Sequence, residues 1–594
     1  MENGNNNVQC SMFNVQCSMT KKQITMKRYN SFILRYLNFY IVTAALALSS
    51  CSDFFDTDLN GVSPIDGRTV QQERDAFYQM NGILQLMQQV GDGYVIAGEL
   101  RGDLVTQTEN TSQELRDIEF FAADSTNSYL TERQLYALVN NCNYFISTLD
   151  HEYMGLKADT LEAQAKCIRS WAFMQLALDY GHATYYTEPI TSEREVEKQR
   201  VTMPQLCDLL ISDLLPYVPA DGVKEQWPFY EGQYSSVNSY ATRFLFIPVR
   251  YLMGELYMWK EDFAEAARMY YQLILDRGLT VPINYRNRWR NNLCQDVSTR
   301  GWDSQFGTLN NNNQVTVIPF SNDFVDGRSR LPQLFDSEYQ MGASARCQSV
   351  FNEQQYTINL TAVSRSGDLR GQGITTDYGC YLLRSAEDGS LLSSVADEDT
   401  EARVTKFNKL RASDSYYIPL ARSAKIYLRY AEAVNRLGLH RLAMAVLKYG
   451  LNAHTLSNTN YMGKEDLTQY PFTDFGQQNL NLASVFNGNA PLHSRGSGDA
   501  DMNASFAIDT STGVDSLTDV ENKIMAEYVL ETAFEGERFH DLMRISQYRR
   551  QPTYLATAVA QKLATVKGSP RDYAGWLQFL SDENNWYLPS LIKE

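Results

Sequence analysis

At 594 residues, with 44% hydrophobic, 12% aromatic and 21% charged side chains, the chain has the composition of an ordered globular protein, and its length calls for several packed layers or two to three lobes. That composition argues against bulk disorder. A formal net charge of −17 argues against nucleic acid as a partner, because a phosphate backbone is held by clustered lysine and arginine.

The first segment, residues 1–50, reads as a secretory signal. The stretch NVQCSM occurs at Asn7 and again at Asn14, a duplication without structural period that suggests translated non-coding sequence and a true start at Met26. Lys27 and Arg28 then precede a mostly apolar run, Phe32 to Leu48, which is short for a membrane span and is interrupted by Arg35 and Asn38. A basic start, an apolar middle and small residues before a cut site are the parts of an export signal. Leu48, Ser49, Ser50 and Cys51 resemble the lipobox of bacterial lipoproteins. The resemblance implies that the Cys51 thiol is diacylated and becomes the amino terminus. Each buried methylene of such chains contributes about 0.8 kcal/mol, so two or three of them hold a protein on a membrane. Residues 51–70 are then a lipidated tether. Its Asp53, Asp56 and Asp58 either resemble the acidic tags of surface-displayed lipoproteins or simply keep the tether solvated. Loss of the signal removes five of the 53 basic residues and one of the 70 acidic ones, leaving a net charge of −21.

Residues 71–281 read as a helical region. Phe77, Ile83, Leu84, Met87 and Val90 put one apolar stripe on a helix over 71–90. Similar periodicity fills 129–149, 160–180, 203–216 and 243–276, and returns at 422–453 and 519–548. Gly254 and Tyr257, then Ala266 and Tyr270, match the G-x2-Y and A-x3-F core of a tetratricopeptide repeat, in which small residues let two helices approach and aromatics fill the gap. Ala431, Ala443 and Leu447 repeat the offsets around an expected turn at Gly438. Residues 282–421 change character: QVTVIPF, YTINLTAVS, CYLLRS and EARVTKF are short alternating or β-branched runs between Gly, Asn, Asp and Ser clusters, so short strands and long loops are expected there. Residues 422–594 form a C-terminal region whose stretch 455–520 is again loop-like.

Chemistry-bearing patterns are sparse. No GxSxG, HExxH, Walker A loop or CxxC occurs, and the six histidines show no ligand spacing, so neither a metal nor a cofactor is called for. In FEGERFHDLMR, Glu535, Glu537, His540 and Asp541 alternate with Arg538 and Arg544 on an expected helix, where ion pairing three to four residues apart explains them better than catalysis; Glu432 reads the same way. Asp499, Asp501 and Asn503 occupy the first ligand positions of a calcium loop, but Ala504 replaces the turn glycine and Thr510 the closing glutamate, which favours a polar loop. Cys142, Cys167, Cys207, Cys294, Cys347 and Cys380 have no close pairing and read as small buried hydrophobes.

Several stretches taken together resemble the SusD/RagB-like family of outer-membrane nutrient-binding lipoproteins: CSDFFDT (51–57), ALVNNCNYFISTLD (137–150), EAQAKCIRSWAFMQLALDYGHATYYTEP (162–189), GDLR (367–370), AKIYLRYAEAVNRLG (424–438), LETAFEGERFHDLMR (530–544) and YLPS (587–590). Their order spans nearly the whole mature chain. The sequence departs from the family at Phe539, where Trp is common, and in having fewer prolines after Gly181. The resemblance implies a mostly α, SusD-like fold of tetratricopeptide-like helical pairs with a loop-rich half carrying short strands. It also implies a partner, a SusC-like TonB-dependent transporter barrel over which the lipoprotein sits as a lid, and a place on the outer membrane.

A sugar ring offers a C–H face that flat aromatics match and a rim of hydroxyls that carboxylates, amides and guanidinium groups pair with. Trp289, Trp302 and Phe306 lie among Asn, Asp, Arg and Gln outside any helical period and are the first candidates for a binding wall. The resemblance places a second wall in the loop after the first long helix, here Arg101, Asp103 and Asn110. Trp227, Phe229 and Tyr230 offer a third. For each aromatic the competing reading is a plug of loop onto scaffold. The expected function is capture of an oligosaccharide and its delivery to the transporter without chemistry of its own. Peptide cargo, a surface glycoside hydrolase resting on two carboxylates, and a pure protein scaffold are the alternatives.

Overall fold

A computed structural model describes residues 69–592 apart from 192–198, 230–233, 238–239, 283–287, 290–296, 299–305, 307–312, 322–327, 359–362, 373–378, 395–399, 409–414, 459–468, 476–488 and 497–505. The principal helices are α1 (Glu73–Leu100), α2 (Gln113–Glu119), α3 (Glu132–Thr148), α4 (Leu156–Tyr180), α5 (Met203–Leu214), α6 (Val249–Trp259), α7 (Phe263–Arg277), α8 (Ala345–Asn352), α9 (Ser423–Arg436), α10 (His440–Met444, running on into a π-helical turn, Ala445–Tyr449), α11 (Ser516–Thr532), α12 (Arg538–Arg549), α13 (Thr553–Leu563) and α14 (Tyr573–Leu580), with single turns at His151–Met154 and Ala453–Ser457. None is long and apolar enough to cross a membrane.

Helix α1 packs on α3, α3 on α4, α4 on α5, α5 on α6, α6 on α7, α7 on α9 and α9 on α11, so each element of this succession covers the apolar face of the next. The two repeat-like pairs are real neighbours in it. A Cβ on Gly254 would stand 2.6 Å from the Tyr270 ring, so only glycine lets α7 close on α6. The Tyr270 hydroxyl then donates to Glu255 Oε1 at 2.6 Å. The helical run over 243–276 divides into the two helices that the repeat pattern implies. Pro248 sets the start of α6, and at Lys260–Asp262 the chain turns through Glu261 (φ 62°) before the Asp262 carboxylate caps α7 by accepting from Glu265 N–H. Gly438 (φ 86°) turns the chain between α9 and α10. Helices α13 and α14, beyond the last expected helical stretch, pack on each other, and α12 returns to α1.

The strands expected between 282 and 421 are present and short. β1 (Val105–Gln107) pairs with β3 (Met341–Ala343), the longer β2 (Gln314–Ser321) pairs antiparallel with β7 (Ser415–Arg422) with Ile318 opposite Ile418, and β4 (Tyr381–Ser385) lies between β5 (Leu391–Leu392) and β6 (Thr400–Val404). One continuous apolar core runs from Val70 to Leu588 and takes residues from 71–281, 282–421 and 422–594 alike. Cys142, Cys167, Cys207 and Cys347 are buried free thiols and Cys380 is buried too, and burial pushes Cys142 up to about 12; Cys294 lies outside the described residues.

Candidate functional site

The acidic and basic residues of α12 and its surroundings are spent inside the protein. Arg544 grips Glu432 with Nε and Nη2 at 2.8 and 2.9 Å, and Arg429 holds Asp541 at 2.8 Å and Glu537 at 2.7 Å. Glu531 accepts from Arg422 and Arg370 at 2.8 Å each and from Arg495 at 2.6 Å. Burial alone raises such carboxyls, but Arg429 and Arg544 outweigh it and bring Asp541 down to about 2, while Arg495, Arg422 and Arg370 hold Glu531 well below the usual range. The ion-pairing reading of this stretch therefore holds, with one change. Only Arg544–Asp541 at 2.8 Å is a pair of near neighbours on α12; the other partners come from distant segments.

The loop after α1 is likewise structural, which corrects the expected second wall. Arg101 is fully buried: its Nη2 pairs with Asp179, its Nη1 donates to Trp586 O at 2.9 Å, and its guanidinium lies 4.5 Å over the Phe539 ring. Asp103, also buried, takes Arg538 on both oxygens at 2.6 and 2.9 Å. Both charges are too costly to bury alone, and each is consumed by its partner. Asn110 is exposed on a turn, where its backbone N–H donates to Thr108 Oγ1 at 3.2 Å. Two aromatics are corrected as well. Phe306 is buried under Lys406 and Arg422, 5.2 and 5.6 Å from its ring, and Phe229 is buried edge-on to Phe77 at 5.3 Å. Phe229 adopts φ 57°, a conformation disfavoured by roughly 1–2 kcal/mol that the buried ring offsets. Both therefore plug loops onto the scaffold. Trp289 belongs to a two-residue strand opposite Val297, its side chain outside the described structure, and Tyr230, Trp302, Cys51, Asp499, Asp501 and Asn503 also lie outside the described residues.

Trp227 has a different setting. It lines a cavity of about 310 Å³ together with Lys224, Glu225, Arg243, Arg277 and Gln314, at the lower end of the range usual for ligand pockets. The loop that carries it is fixed by α6. Arg250 Nη2 donates to the carbonyls of Pro219, Ala220 and Val223 at 3.2, 3.0 and 2.8 Å, and its Nη1 pairs with Asp276 at 3.0 Å. Asp276 Oδ2 also accepts from Glu225 N–H at 3.0 Å, Gly222 N–H donates to Gln272 Oε1 at 3.0 Å, and Val249 N–H donates to Glu225 Oε1 at 2.7 Å. The lining is thus held in place before any ligand arrives, which spares the ordering cost of binding.

Within this frame the Arg277 guanidinium stacks 4.0 Å over the Trp227 ring. Its Nε and Nη2 are enclosed and have no hydrogen-bond partner among the described residues, and neither has Glu225 Oε2. Burial raises the Glu225 carboxyl to about 7 against the pull of Arg277, and lowers Arg277 to about 10 against the pull of Glu225 and Asp276. Trp227, expected as a sugar platform, thus carries a cation on one face. Glu225 and Arg277 were missed in the sequence. Glu225 stands two residues before Trp227, whereas a lone arginine in the last turn of α7 carries no signal, since a cation there complements the helix dipole. Among the described residues no group of three His, Cys, Asp or Glu side chains is placed to hold a metal ion.

No protein-family model matches the sequence, and no curated protein matches it. Solved structures do match the fold. A SusD superfamily protein from Bacteroides thetaiotaomicron aligns with a TM-score of 0.52 at 15% identity, covering 88% of this chain and 95% of its own. A second one from the same organism aligns at 0.51 and 15% identity over 80% of this chain and 89% of its own. A SusD-like carbohydrate binding protein from Bacteroides vulgatus aligns at 0.50 and 14% identity over 80% and 84%.

Proposed function

From the SusD-like fold that these matches establish, we propose that the protein is a non-catalytic binding protein for oligosaccharides, anchored to the outer membrane through Cys51, which passes its cargo to a SusC-like TonB-dependent barrel. The anchor rests on the lipobox-like Leu48–Cys51, and the barrel on the resemblance of seven ordered sequence stretches to the SusD/RagB-like family. The sugar cargo is supported by a solved neighbour described as carbohydrate binding, and above all by one observation on this chain: a preformed cavity of about 310 Å³ in which an indole, an enclosed guanidinium and a carboxyl converge. Convergent polar groups in a rigid concave site orient a polyhydroxylated ligand. A protein that only binds holds its ligand and releases it intact.

Calorimetric titration of the purified chain against a panel of neutral and acidic oligosaccharides tests this. Binding to at least one glycan with no new reducing ends after prolonged incubation is expected. Release of reducing ends makes the protein a hydrolase, and binding of peptides in place of every glycan overturns the cargo. Trp302→Ala, in the aromatic-rich segment 287–313, is expected to weaken that binding. Metabolic labelling with a palmitate analogue checks the anchor: label is expected on the wild type and absent from Cys51→Ser.

A further inference from the structure

Inside this protein one edge of arginine has a recurrent use. Arg538 takes Asp103, Arg544 takes Glu432, Arg422 takes Glu535 and Arg370 takes Asp368 through the same two groups, Nε–H and Nη2–H, with every contact between 2.6 and 3.1 Å. Those two N–H groups point the same way and match the two oxygens of a carboxylate. Arg277 presents the same edge, enclosed beside the Trp227 cavity and with no hydrogen-bond partner among the described residues.

The two nearest acids do not fill that role. The Asp276 Oδ2 atom is taken by Arg250 and by the Glu225 backbone, and Glu225 turns Oε1 to Val249 N–H while its Oε2 stays without a partner. Leaving two enclosed donors unmet costs about 1–3 kcal/mol each; the other arginines with an enclosed unmet donor, Arg169, Arg250, Arg436 and Arg538, each still hold a carboxylate elsewhere on the guanidinium, and among the described residues Arg277 holds none. The charge of the lining points the same way. Lys224, Arg243 and Arg277 face Glu225 and Asp276, so the lining is net positive even with both acids ionised, on a chain whose formal charge is −17. The Trp227 ring fixes the guanidinium plane, so the fork is aimed before a ligand enters.

We propose that this cavity is a subsite for an acidic sugar, taking the carboxylate of a uronic-acid-type residue on the Nε–Nη2 edge of Arg277. The proposal rests on the carbohydrate-binding reading and adds to it the class of sugar. The Glu225 carboxyl, protonated in part at neutral pH, donates its O–H to a neighbouring oxygen of the same residue. The cavity volume suits one such residue rather than a chain of them, so the remainder of an oligosaccharide extends outward from it.

The test uses the full purified chain and matched pairs of probes: galacturonate and glucuronate oligosaccharides, each beside its carboxyl-reduced neutral counterpart, with a sulfated neutral oligosaccharide as a third arm. Uronate binding about tenfold or more tighter than the reduced counterpart is expected, as for a charge-assisted bidentate pair. Arg277→Gln should erase that preference, and Arg277→Lys, which keeps the charge and loses the fork, should retain only part of it. Equal affinity for the two members of every pair overturns the proposal, as does a preference that survives Arg277→Gln, and preference for the sulfated probe transfers the site to another anion. If neutral oligosaccharides bind and uronates do not, the acidic subsite falls while the general reading stands; if no glycan binds, both fall. Should Arg277→Gln not fold, the wild-type pairs together with Arg243→Gln, which lowers the same positive field without touching the fork, decide the matter.

Discussion

Replacing Glu531 by glutamine perturbs, among the described residues, the carboxylate that receives the most guanidiniums, while keeping its shape. Its two oxygens receive three guanidiniums at 2.6–2.8 Å, from Arg370, Arg422 and Arg495, all of them fully buried. Glutamine removes the negative charge and turns an N–H2 toward donors, so one of these cations is left undercompensated at the least. Removal of one partner from a buried pair costs about 3–5 kcal/mol. With an unfolding entropy of ~2.1 cal/mol/K per residue over roughly 500 folded residues, about 1 kcal/mol per kelvin, this amounts to a fall in Tm of about 3–5 °C at pH 7. Scanning calorimetry reads it directly. The pH dependence carries a second signature. The folded-state pKa of Glu531 is depressed below the ordinary 4.5, so the stability it contributes is complete above that value and is lost as the pH falls below it. The gap between wild type and variant should therefore be widest at neutral pH and narrow in acid. A variant melting within 1 °C of wild type at pH 7, or a gap that does not narrow below about pH 4, refutes the account of this cluster as a charge hub.

Glu225→Gln has the opposite sign. The carboxyl is raised from 4.5 to about 7, so its ionisation penalises the fold increasingly between those values, and the variant should gain up to about 3 kcal/mol over wild type at pH 8 and nothing near pH 4, as chemical denaturation at the two pH values will show. Arg101→Ala should lower stability by about 3–5 kcal/mol by stranding Asp179, while the protein that remains folded keeps its glycan affinity; a selective loss of affinity without a loss of stability would restore the residue to the binding wall. Gly98→Ala should cost about 1–3 kcal/mol or more, read as a lower denaturation midpoint, because the added methyl would stand 1.8 Å from Gly536 O.

Much of the scaffold was legible because its helices advertise themselves. The stripe from Phe77 to Val90 marks α1, although that helix runs ten residues further to Leu100, through Gly91, Gly93 and Gly98, where close neighbours rather than helical propensity select the glycines. Gly254 and Tyr270 identified the α6–α7 contact correctly, since a missing side chain and a large ring sixteen residues apart are two halves of one packing solution. The site was far less readable. Arg101, Asp103, Phe229 and Phe306 carry the right chemistry for a sugar and are buried, because burial is decided by which distant segment arrives on top of them. Trp227 does line the cavity, yet what its ring faces is Arg277, fifty residues later and in an ordinary position at a helix end.

The meeting of α1 with the far end of the chain has a consequence for the order in which the protein is made. Gly536 N–H donates to Glu99 at 2.8 Å across 437 residues, Lys562 Nζ donates to the carbonyls of Leu100 and Val105 at 2.7 and 3.0 Å, and Trp586 O accepts from Arg101. At about 5–20 residues per second, the partners of the first helix leave the ribosome roughly 20–90 s after it does. This clasp on the first helix closes only after the C-terminal segment has been made.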